Sequence, residues 1–404
     1  MQTELFRAGV LAAFGLEPGP LAELLQYNHS RFDCRWLESP LHLPLDSEPH
    51  AQAWQRYADA ARGNIYPVLQ QHLLQLRFPI LPGMSREQSY QAAVSQGIPP
   101  APDRWPDGLQ LQRPEGLRLV LYESLAGVIP VLIAPERDDF VALVRALTCH
   151  NEPAPVPTSM GACMVGGFIN WERICHLRHT WHAQPTAARS TPSWQAEWQT
   201  ILPHKALYQD CFILLSIGPY SGVPARDLGL AHGEWLTLSL AIRLEHECTH
   251  YFTRRLFGSM RNNLYDEVLA DYMGLVAATG HYRADWFLRF VGLDTFPGYR
   301  EGGRLQNYRG KPPLGEEAFD VLQALVVQAA HNLETIGCNH PASPPVHTLL
   351  TLSLLTLEEL ASEQALVRFE QAQARLADHP VHYRTHSQSQ PKTVLSALPV
   401  GALA

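Results

Sequence analysis

Residues 236–275 read LTLSLAIRLEHECTHYFTRRLFGSMRNNLYDEVLADYMGL, the most strongly patterned stretch of the chain. Neither Gly nor Pro interrupts residues 236–257. Apolar side chains recur there every four positions, at Leu236, Leu240, Leu244 and Cys248. This period is typical of a helix rather than a strand, and Gly258 supplies a C-terminal stop. The stretch therefore predicts a long helix, a turn near residues 258–263 and the start of a second helix.

Two histidines lie one turn apart on the first predicted helix. His246 and His250 fall on the same face, because residues four positions apart are neighbours on a helix surface. Two imidazoles so placed suit one tetrahedral Zn²⁺, at about 2.0–2.1 Å per nitrogen. Glu247, beside the first histidine, is placed to take the proton from a water that attacks a carbonyl. We therefore expect a zinc cofactor with Glu247 as general base.

A third protein ligand is needed, because catalytic zinc usually has three and keeps its fourth position for water or substrate. Glu267 is the natural third ligand, since the sixteen residues between it and His250 are enough for the rest of the first helix, a turn and the opening of a second helix. Asp271 lies four residues further on the same helix face and is expected to accept the free ring N–H of a ligand histidine. The alternative is a buried helix with two satisfied histidines and surface carboxylates.

This pattern resembles the gluzincin, thermolysin-like clan of zinc metallopeptidases, which has HExxH on one helix and ExxxD on the next. The intervening and flanking residues are uncharged where the signature requires it, and Phe252 is apolar as expected. Arg243 departs from the signature, in which Val or Thr is usual. The resemblance covers the motif region alone, and it implies a zincin-like core that hydrolyses an amide, foremost a peptide bond.

The resemblance also implies a strand beside the zinc helix. In zincins an edge strand of the sheet pairs with an extended substrate through backbone hydrogen bonds. Residues 211–222 would then form one wall of the cleft. A plain buried strand explains the apolar run at residues 211–216 equally well.

Hydrolysis of this kind needs an electrophilic group for the tetrahedral oxyanion, usually a Tyr or His. A Gly-Gly loop flanked by Arg, Asn and Tyr, at residues 300–308, could project such groups into a cleft. The candidates are Tyr265, His281, Tyr282, Tyr308 and His331. The sequence does not choose among them, and Tyr308 and His331 join Glu247 and Asp271 as expected catalytic residues.

The rest of the chain is expected to surround this core. The expected regions are an N-terminal helical region at 1–100, a small α+β region at 101–204, the zincin-like catalytic core at 205–340, C-terminal helices at 341–378 and a loosely ordered tail at 379–404. Within the second region, residues 117–123 and 128–134 predict paired strands and residues 138–149 a helix. The predicted fold class is α+β and predominantly helical, with a zincin-like metalloprotease core and a small β-sheet edge beside the active-site helix.

Composition narrows the class of protein. The chain has 404 residues, a net charge of −8 and no run of Lys or Arg, which argues against a nucleic-acid partner. Its seven cysteines include no CxxC pair, which favours reduced thiols and a cytoplasmic location. The apolar run at residues 8–16 is interpreted as an amphipathic helix rather than a signal peptide, and no run has the length of a membrane span.

The function predicted from these patterns is zinc-dependent hydrolysis of a peptide or a small amide. One alternative is a zinc-binding scaffold or peptide-binding protein that uses the same ligands without turnover. Another is an amidohydrolase or maturation enzyme dedicated to one small substrate. An open groove would favour peptides and a closed cavity a small amide.

Overall fold

The computed structural model describes residues 2–185 and 191–384, which form an α+β, predominantly helical fold, as the sequence predicts. The helices are α1 (Gln2–Ala13), α2 (Pro18–Tyr27), α3 (His50–Ala60), α4 (Tyr66–His72), α5 (Gln88–Gln96), α6 (Arg137–Thr148), α7 (Trp171–Ala183), α8 (Trp194–Ile201), α9 (His232–Leu256), α10 (Leu264–Thr279), α11 (Ala284–Val291), α12 (Glu316–Asn339), α13 (Pro345–Leu352), α14 (Leu357–Ala361) and α15 (Ala365–Ala377). The strands are β1 (Leu41–Leu43), β2 (Arg118–Ser124), β3 (Gly127–Ala134), β4 (Ala162–Ile169), β5 (Gln209–Ser216) and β6 (Val381–Tyr383). None of the described helices combines the length and the apolar character needed to cross a bilayer.

The chain divides into two compact units. One is the continuous stretch of residues 46–217, and the other joins the residues up to Leu45 with those from Gly218 onward. In the split unit, Arg7 of α1 forms a buried ion pair with Glu358 of α14, with an N–O distance of 3.0 Å. α1 is therefore held against a helix that lies far along the chain.

This division differs from the boundaries expected from the sequence. Residues 101–204 do not form a unit of their own, because β5 lies beyond residue 204 and is hydrogen bonded between β3 and β4. The predicted N-terminal region is also split. Trp54 of α3 donates to the buried carboxylate of Asp210 in β5 at 2.9 Å, so α3 belongs with the sheet.

The expected tail at residues 379–404 is only partly described. Within it, β6 lies parallel to β1, with Leu41 opposite Val381, so a loosely ordered tail is wrong for residues 381–383. Strands of three residues carry too little alternation to stand out in a sequence. The remainder of the predicted tail, residues 385–404, lies outside the described residues.

Unit 46–217 is built on a four-stranded mixed sheet with the order β2-β3-β5-β4. β2 and β3 are the predicted paired strands, and they run antiparallel, with Arg118 opposite Ile133. The predicted helix at 138–149 is also confirmed, as α6. β4 was not predicted, because Gly166 and Gly167 in its middle are typical of a loop; here they accompany a bulge.

β5 is a central strand, so the sheet edge expected at residues 211–222 is wrong. Ile213 has Val131 of β3 on one side and Met164 of β4 on the other. Nearly every residue of the strand is buried, which explains its unbroken apolar run. A strand that is paired on both sides has no free backbone groups with which to bind an extended substrate.

In the split unit, α9 and α10 are the two helices predicted from residues 236–275. α9 begins four residues earlier than the predicted start, at His232, and ends before Gly258, whose φ of +70° suits the left-handed region. α10 begins at Leu264 and its C-cap is Gly280. The turn between them is as short as the spacing predicts, so the two helices are neighbours.

A close backbone approach fixes the distance between α9 and α10. A Cβ added at Gly274 of α10 would lie 2.8 Å from the carbonyl oxygen of Ile242 in α9 and 3.1 Å from its Cγ2 atom. Carbon atoms do not approach backbone oxygen that closely, so only glycine permits this packing. The spacing sets how near the side chains of the two helices come to one another.

We expect Gly274→Ala to lower the free energy of unfolding by about 1–3 kcal/mol, because the added methyl group must push the helices apart. The matched control is Gly337→Ala in α12, where an added Cβ meets nothing within 4 Å. That change should raise the unfolding free energy by up to about 1 kcal/mol through helix propensity alone. Urea unfolding of both variants measures the difference, and equal stabilisation by both would contradict the close approach.

Candidate metal centre

Three side chains from α9 and α10 converge with their polar atoms facing one another. His246 Nε2 lies 3.1 Å from His250 Nε2. Of the two carboxylate oxygens of Glu267, Oε2 lies 3.4 Å from His246 Nε2 and Oε1 lies 3.4 Å from His250 Nε2. All three residues are buried, and a potential ligand atom of each lies within 4.8 Å of the others. The described residues contain no other group of three His, Cys, Asp or Glu side chains that meets this condition.

The geometry of these atoms fits a shared cation. Donor atoms around one tetrahedral zinc are about 3.3 Å apart when each bond is about 2.0–2.1 Å long. The two nitrogens are 3.1 Å apart, and each has a different oxygen of the Glu267 carboxylate at 3.4 Å, distances close to that value. In addition, Glu267 Oε2 is buried and has no hydrogen-bond partner among the described residues. A buried carboxylate oxygen in that state normally has an ion or water beside it.

The charges of the cluster favour a cation at its centre. Burial opposes ionisation of Glu267, but His250, His246 and Arg304 together hold the pKa of its carboxyl far below the ordinary value. Burial lowers the pKa of His250, whereas its hydrogen bond to Glu267 and the charges of Glu267 and Glu247 raise it, for a net value of about 9. In the protein without metal, a proton therefore occupies the position that suits a metal ion.

Asp271 is buried, and its carboxylate interacts with His246, Tyr220 and Arg304. Its Oδ1 lies 2.8 Å from His246 Nδ1, and Tyr220 donates its hydroxyl to the same oxygen at 2.5 Å. Arg304 donates to Oδ2 of Asp271 and, at 3.0 Å, to the Tyr220 hydroxyl oxygen. Burial opposes ionisation, but Arg304 and His246 hold the pKa of Asp271 below its ordinary value. An ionised Asp271 accepts the Nδ1–H of His246 and so leaves the Nε2 lone pair directed at the cluster.

Tyr220 is held against α9 by its own loop. Its backbone N–H donates to Ser239 Oγ at 3.0 Å. Arg243, three residues before His246, donates to the carbonyl oxygens of Gly218 and Pro219 at 2.6 and 2.7 Å. The departure of Arg243 from the metallopeptidase signature thus has a structural reason, because this arginine fixes the loop that carries Tyr220.

Two segments of backbone cross at a pair of glycines directly before Arg304. A Cβ on Gly303 would lie 2.6 Å from the Cα of Gly292 and 2.7 Å from the carbonyl oxygen of Val291. Gly292 itself has a φ of +90°, in the left-handed region. The backbones cross at a distance that no larger residue allows, and the chain enters the site directly afterwards.

The structure brings together most of the site residues predicted from the sequence. His246, His250, Glu267 and Asp271 form one buried group. Glu247 lies beside it, half-buried, and no hydrogen bond or ion pair with a described residue occupies its carboxylate.

Of the oxyanion candidates, Tyr308 is the one whose pKa the charge of the predicted ligand Glu267 affects, so it lies near the cluster. Burial and the charge of Glu267 raise the pKa of Tyr308 well above its ordinary value, so the hydroxyl stays protonated.

The other candidates are not placed for that role. His331 is exposed on α12, and the described contacts of the cluster do not include it. His281 is exposed as well. The buried hydroxyl of Tyr265 donates to the carbonyl oxygen of Leu352 at 2.7 Å. Tyr282 is buried, and its hydroxyl has no hydrogen-bond partner in the described part of the chain.

Sequence reasoning missed Tyr220 and the role of Arg304. Tyr220 lies in a Gly- and Pro-rich loop, where an aromatic residue carries no signal of its own. Arg304 does lie in the loop at residues 300–308 that was expected to supply polar groups, but a sequence does not show which of its side chains turns inward. The clearest signal was Arg243, a charged residue at a helix position where the signature requires an apolar or small one.

The chain belongs to a family described as "Family of unknown function (DUF7005)", which matches residues 9–364 and so includes every residue of the cluster. No curated protein and no solved structure matches it.

We expect the affinity for zinc to rise with pH, because the metal must displace the proton that gives His250 a pKa of about 9. Between pH 7 and 9 the dissociation constant should fall by about tenfold per pH unit, and it should level off above that range. Competition with a coloured chelator at fixed ionic strength measures this, and calorimetry should detect the released proton. A dissociation constant that does not change over this range would contradict the assignment.

Proposed function

We propose that this protein is a zinc-dependent hydrolase that cleaves an amide bond, foremost a peptide bond. The observation that carries the proposal is the convergence of His246 Nε2, His250 Nε2 and the Glu267 carboxylate, with Asp271 behind His246 and an unengaged Glu247 beside it. Histidines that are buried only for packing would not need to direct their lone pairs at each other and at a carboxylate.

His246, His250 and Glu267 would hold the metal, and the remaining coordination position would face the substrate. When bound, zinc supplies Lewis-acid stabilisation of the charge that develops on the carbonyl oxygen. Three protein ligands with an open fourth position are typical of catalytic rather than structural zinc. The buried surroundings strengthen these electrostatic interactions because water screens them poorly there.

Glu247 is the general base of the proposal. It follows His246 directly on α9, and its negative charge contributes to raising the pKa of His250, so it acts on the cluster without joining it. Because its carboxylate is half-buried and unengaged, it can accept a proton from an attacking water and pass it to the leaving amine.

Tyr308 is the proposed donor to the oxyanion. Its hydroxyl lies near Glu267 and stays protonated, so it can donate a hydrogen bond to the oxygen that gains charge. Its backbone is held in place, because the Tyr27 hydroxyl donates to the Tyr308 carbonyl oxygen. A donor fixed before the reaction stabilises the charge without a further cost of reorganisation.

The resemblance to gluzincins supports a peptide substrate and a zincin-like core around α9 and α10. The sheet gives no support of its own, because β5 has no free edge. A dedicated small amide therefore stays an alternative outcome of the test, as does a zinc-binding scaffold without turnover.

Metal analysis of the purified protein is the first test. We expect about one zinc per chain, lost on treatment with a strong chelator and regained with Zn²⁺. Iron instead of zinc would contradict the hydrolase proposal, since two histidines and one carboxylate are also the ligand set of non-haem Fe(II) oxygenases.

We expect Glu247→Gln to keep zinc binding while lowering the rate of amide hydrolysis by roughly 10²–10⁴-fold, because the base is lost and the ligands are not. Digestion of a peptide library by the zinc-loaded protein, read by mass spectrometry, provides the assay. The matched control is Glu234→Gln, at an exposed position in the first turn of the same helix, which should leave the rate unchanged.

Two outcomes would contradict parts of this proposal: one the enzymatic function, the other the role of Glu247. If the wild-type protein binds zinc but cleaves neither peptides nor small amides, the scaffold alternative replaces the enzyme. If Glu247→Gln retains the wild-type rate, water activation by Glu247 is wrong even though the protein hydrolyses amides.

We expect Tyr308→Phe to lower kcat by roughly 10²–10³-fold, with a much smaller change in zinc affinity, since the hydroxyl acts on the oxyanion. His331→Ala, at the exposed candidate on α12, should leave both quantities unchanged. If Tyr308→Phe instead weakened zinc binding and left kcat of the loaded protein unchanged, its hydroxyl would serve to hold Glu267.

A further inference from the structure

We propose that Tyr220 is a positioning residue that, with Arg304, locks Asp271 and thereby presents His246 to the metal. The inference rests on the metal site of the proposed function and extends that site to two groups outside the HExxH and ExxxD patterns. Both groups donate to the carboxylate of Asp271, and Arg304 in addition lies 4.0 Å from Glu267 Oε2.

A carboxylate with a single hydrogen-bond partner keeps rotational freedom. An Asp that contacts only a histidine can rotate and exchange its oxygens, so the ring is held loosely. Here both oxygens of Asp271 are committed, Oδ1 to His246 and Tyr220 and Oδ2 to Arg304. Asp271 has no solvent exposure, and water therefore cannot replace any of these donors.

Tyr220 also fixes the direction of the proton on His246. Its hydroxyl lies 3.0 Å from His246 Nδ1 and 2.5 Å from Asp271 Oδ1. Arg304 donates to the hydroxyl oxygen, so the Tyr220 proton is directed to Asp271 and not shared with the arginine. Asp271 then accepts from Tyr220 and His246 together, which keeps the ring proton on Nδ1 and the lone pair on Nε2.

The ring of Tyr220 is held independently of its hydroxyl. It packs edge-on against Phe290 with a centroid distance of 4.9 Å. The guanidinium groups of Arg243 and Arg304 lie 5.7 and 5.0 Å from the ring centroid. Removal of the hydroxyl alone should therefore leave the side chain in place, which makes Tyr220→Phe a clean probe.

The experiment measures the zinc dissociation constant by chelator competition, with the full chain stripped of metal and titrated with Zn²⁺. Tyr220→Phe should raise Kd by about 10–100-fold, the usual loss when the group that orients a ligand is removed. The control is Tyr265→Phe, whose hydroxyl is equally buried but donates to the Leu352 carbonyl oxygen. It should lower the unfolding temperature of the metal-free protein to a similar extent and leave Kd unchanged.

A second experiment, in the Asp271→Asn variant, tests whether Tyr220 acts through Asp271. If Tyr220 acts through Asp271, adding Tyr220→Phe to Asp271→Asn should change Kd little beyond the single Asp271→Asn change. A full additional loss would overturn the claim that Asp271 carries the effect. Arg304→Lys offers a further variant, because it keeps the charge but loses the planar pair of contacts, and it should also raise Kd.

The outcomes separate this inference from the proposed function. If the wild type binds zinc and Tyr220→Phe binds it with the same Kd, the positioning role is wrong and the metal site stands. If the wild-type chain binds no zinc, the metal site falls and the positioning role falls with it.

Discussion

The site depends on a repulsion between lone pairs that a shared proton or a cation relieves. Two imidazole nitrogens and a carboxylate face one another across little more than 3 Å, in a buried pocket of the fold. Lone pairs held so close destabilise each other unless a proton or a metal ion lies among them. The high pKa of His250 and the low pKa of Glu267 are two expressions of this single constraint. The neighbouring helices supply the rigidity that keeps the three groups from moving apart.

That rigidity comes from backbone contacts as much as from side chains. Gly274 lets α10 lie directly on α9, and Gly303 lets the chain cross Gly292 before it delivers Arg304. Arg243 holds the Tyr220 loop, and His246, three residues further along the same side of α9, belongs to the cluster. Charge also contributes, because Arg304 pairs with Asp271 and lies 4.0 Å from Glu267, so one cation offsets part of the negative charge of both carboxylates.

Much of this centre can be predicted from the sequence, since it depends on spacing within helices. The turn of α9 sets His246 beside His250, and the turn of α10 sets Glu267 beside Asp271, so a pattern of identities and intervals is sufficient. The contributions of loops cannot be predicted in this way. Tyr220 lies in a turn without periodicity, and nothing local shows that its hydroxyl donates to Asp271, 51 residues further along the chain. For the same reason β5 was assigned to an edge, because strand order is a long-range property that an apolar run does not record.

The insertion of unit 46–217 into the other unit has a consequence for biosynthesis. Residues are added from the N-terminus, so α1 and the whole of unit 46–217 are synthesised before α9 and α10. At roughly 5–20 residues per second, Glu358 is added roughly 7–28 seconds after residue 217. Until then Arg7 of α1 lacks its buried partner. The two segments of the split unit can therefore pack together only after the inserted unit has been made.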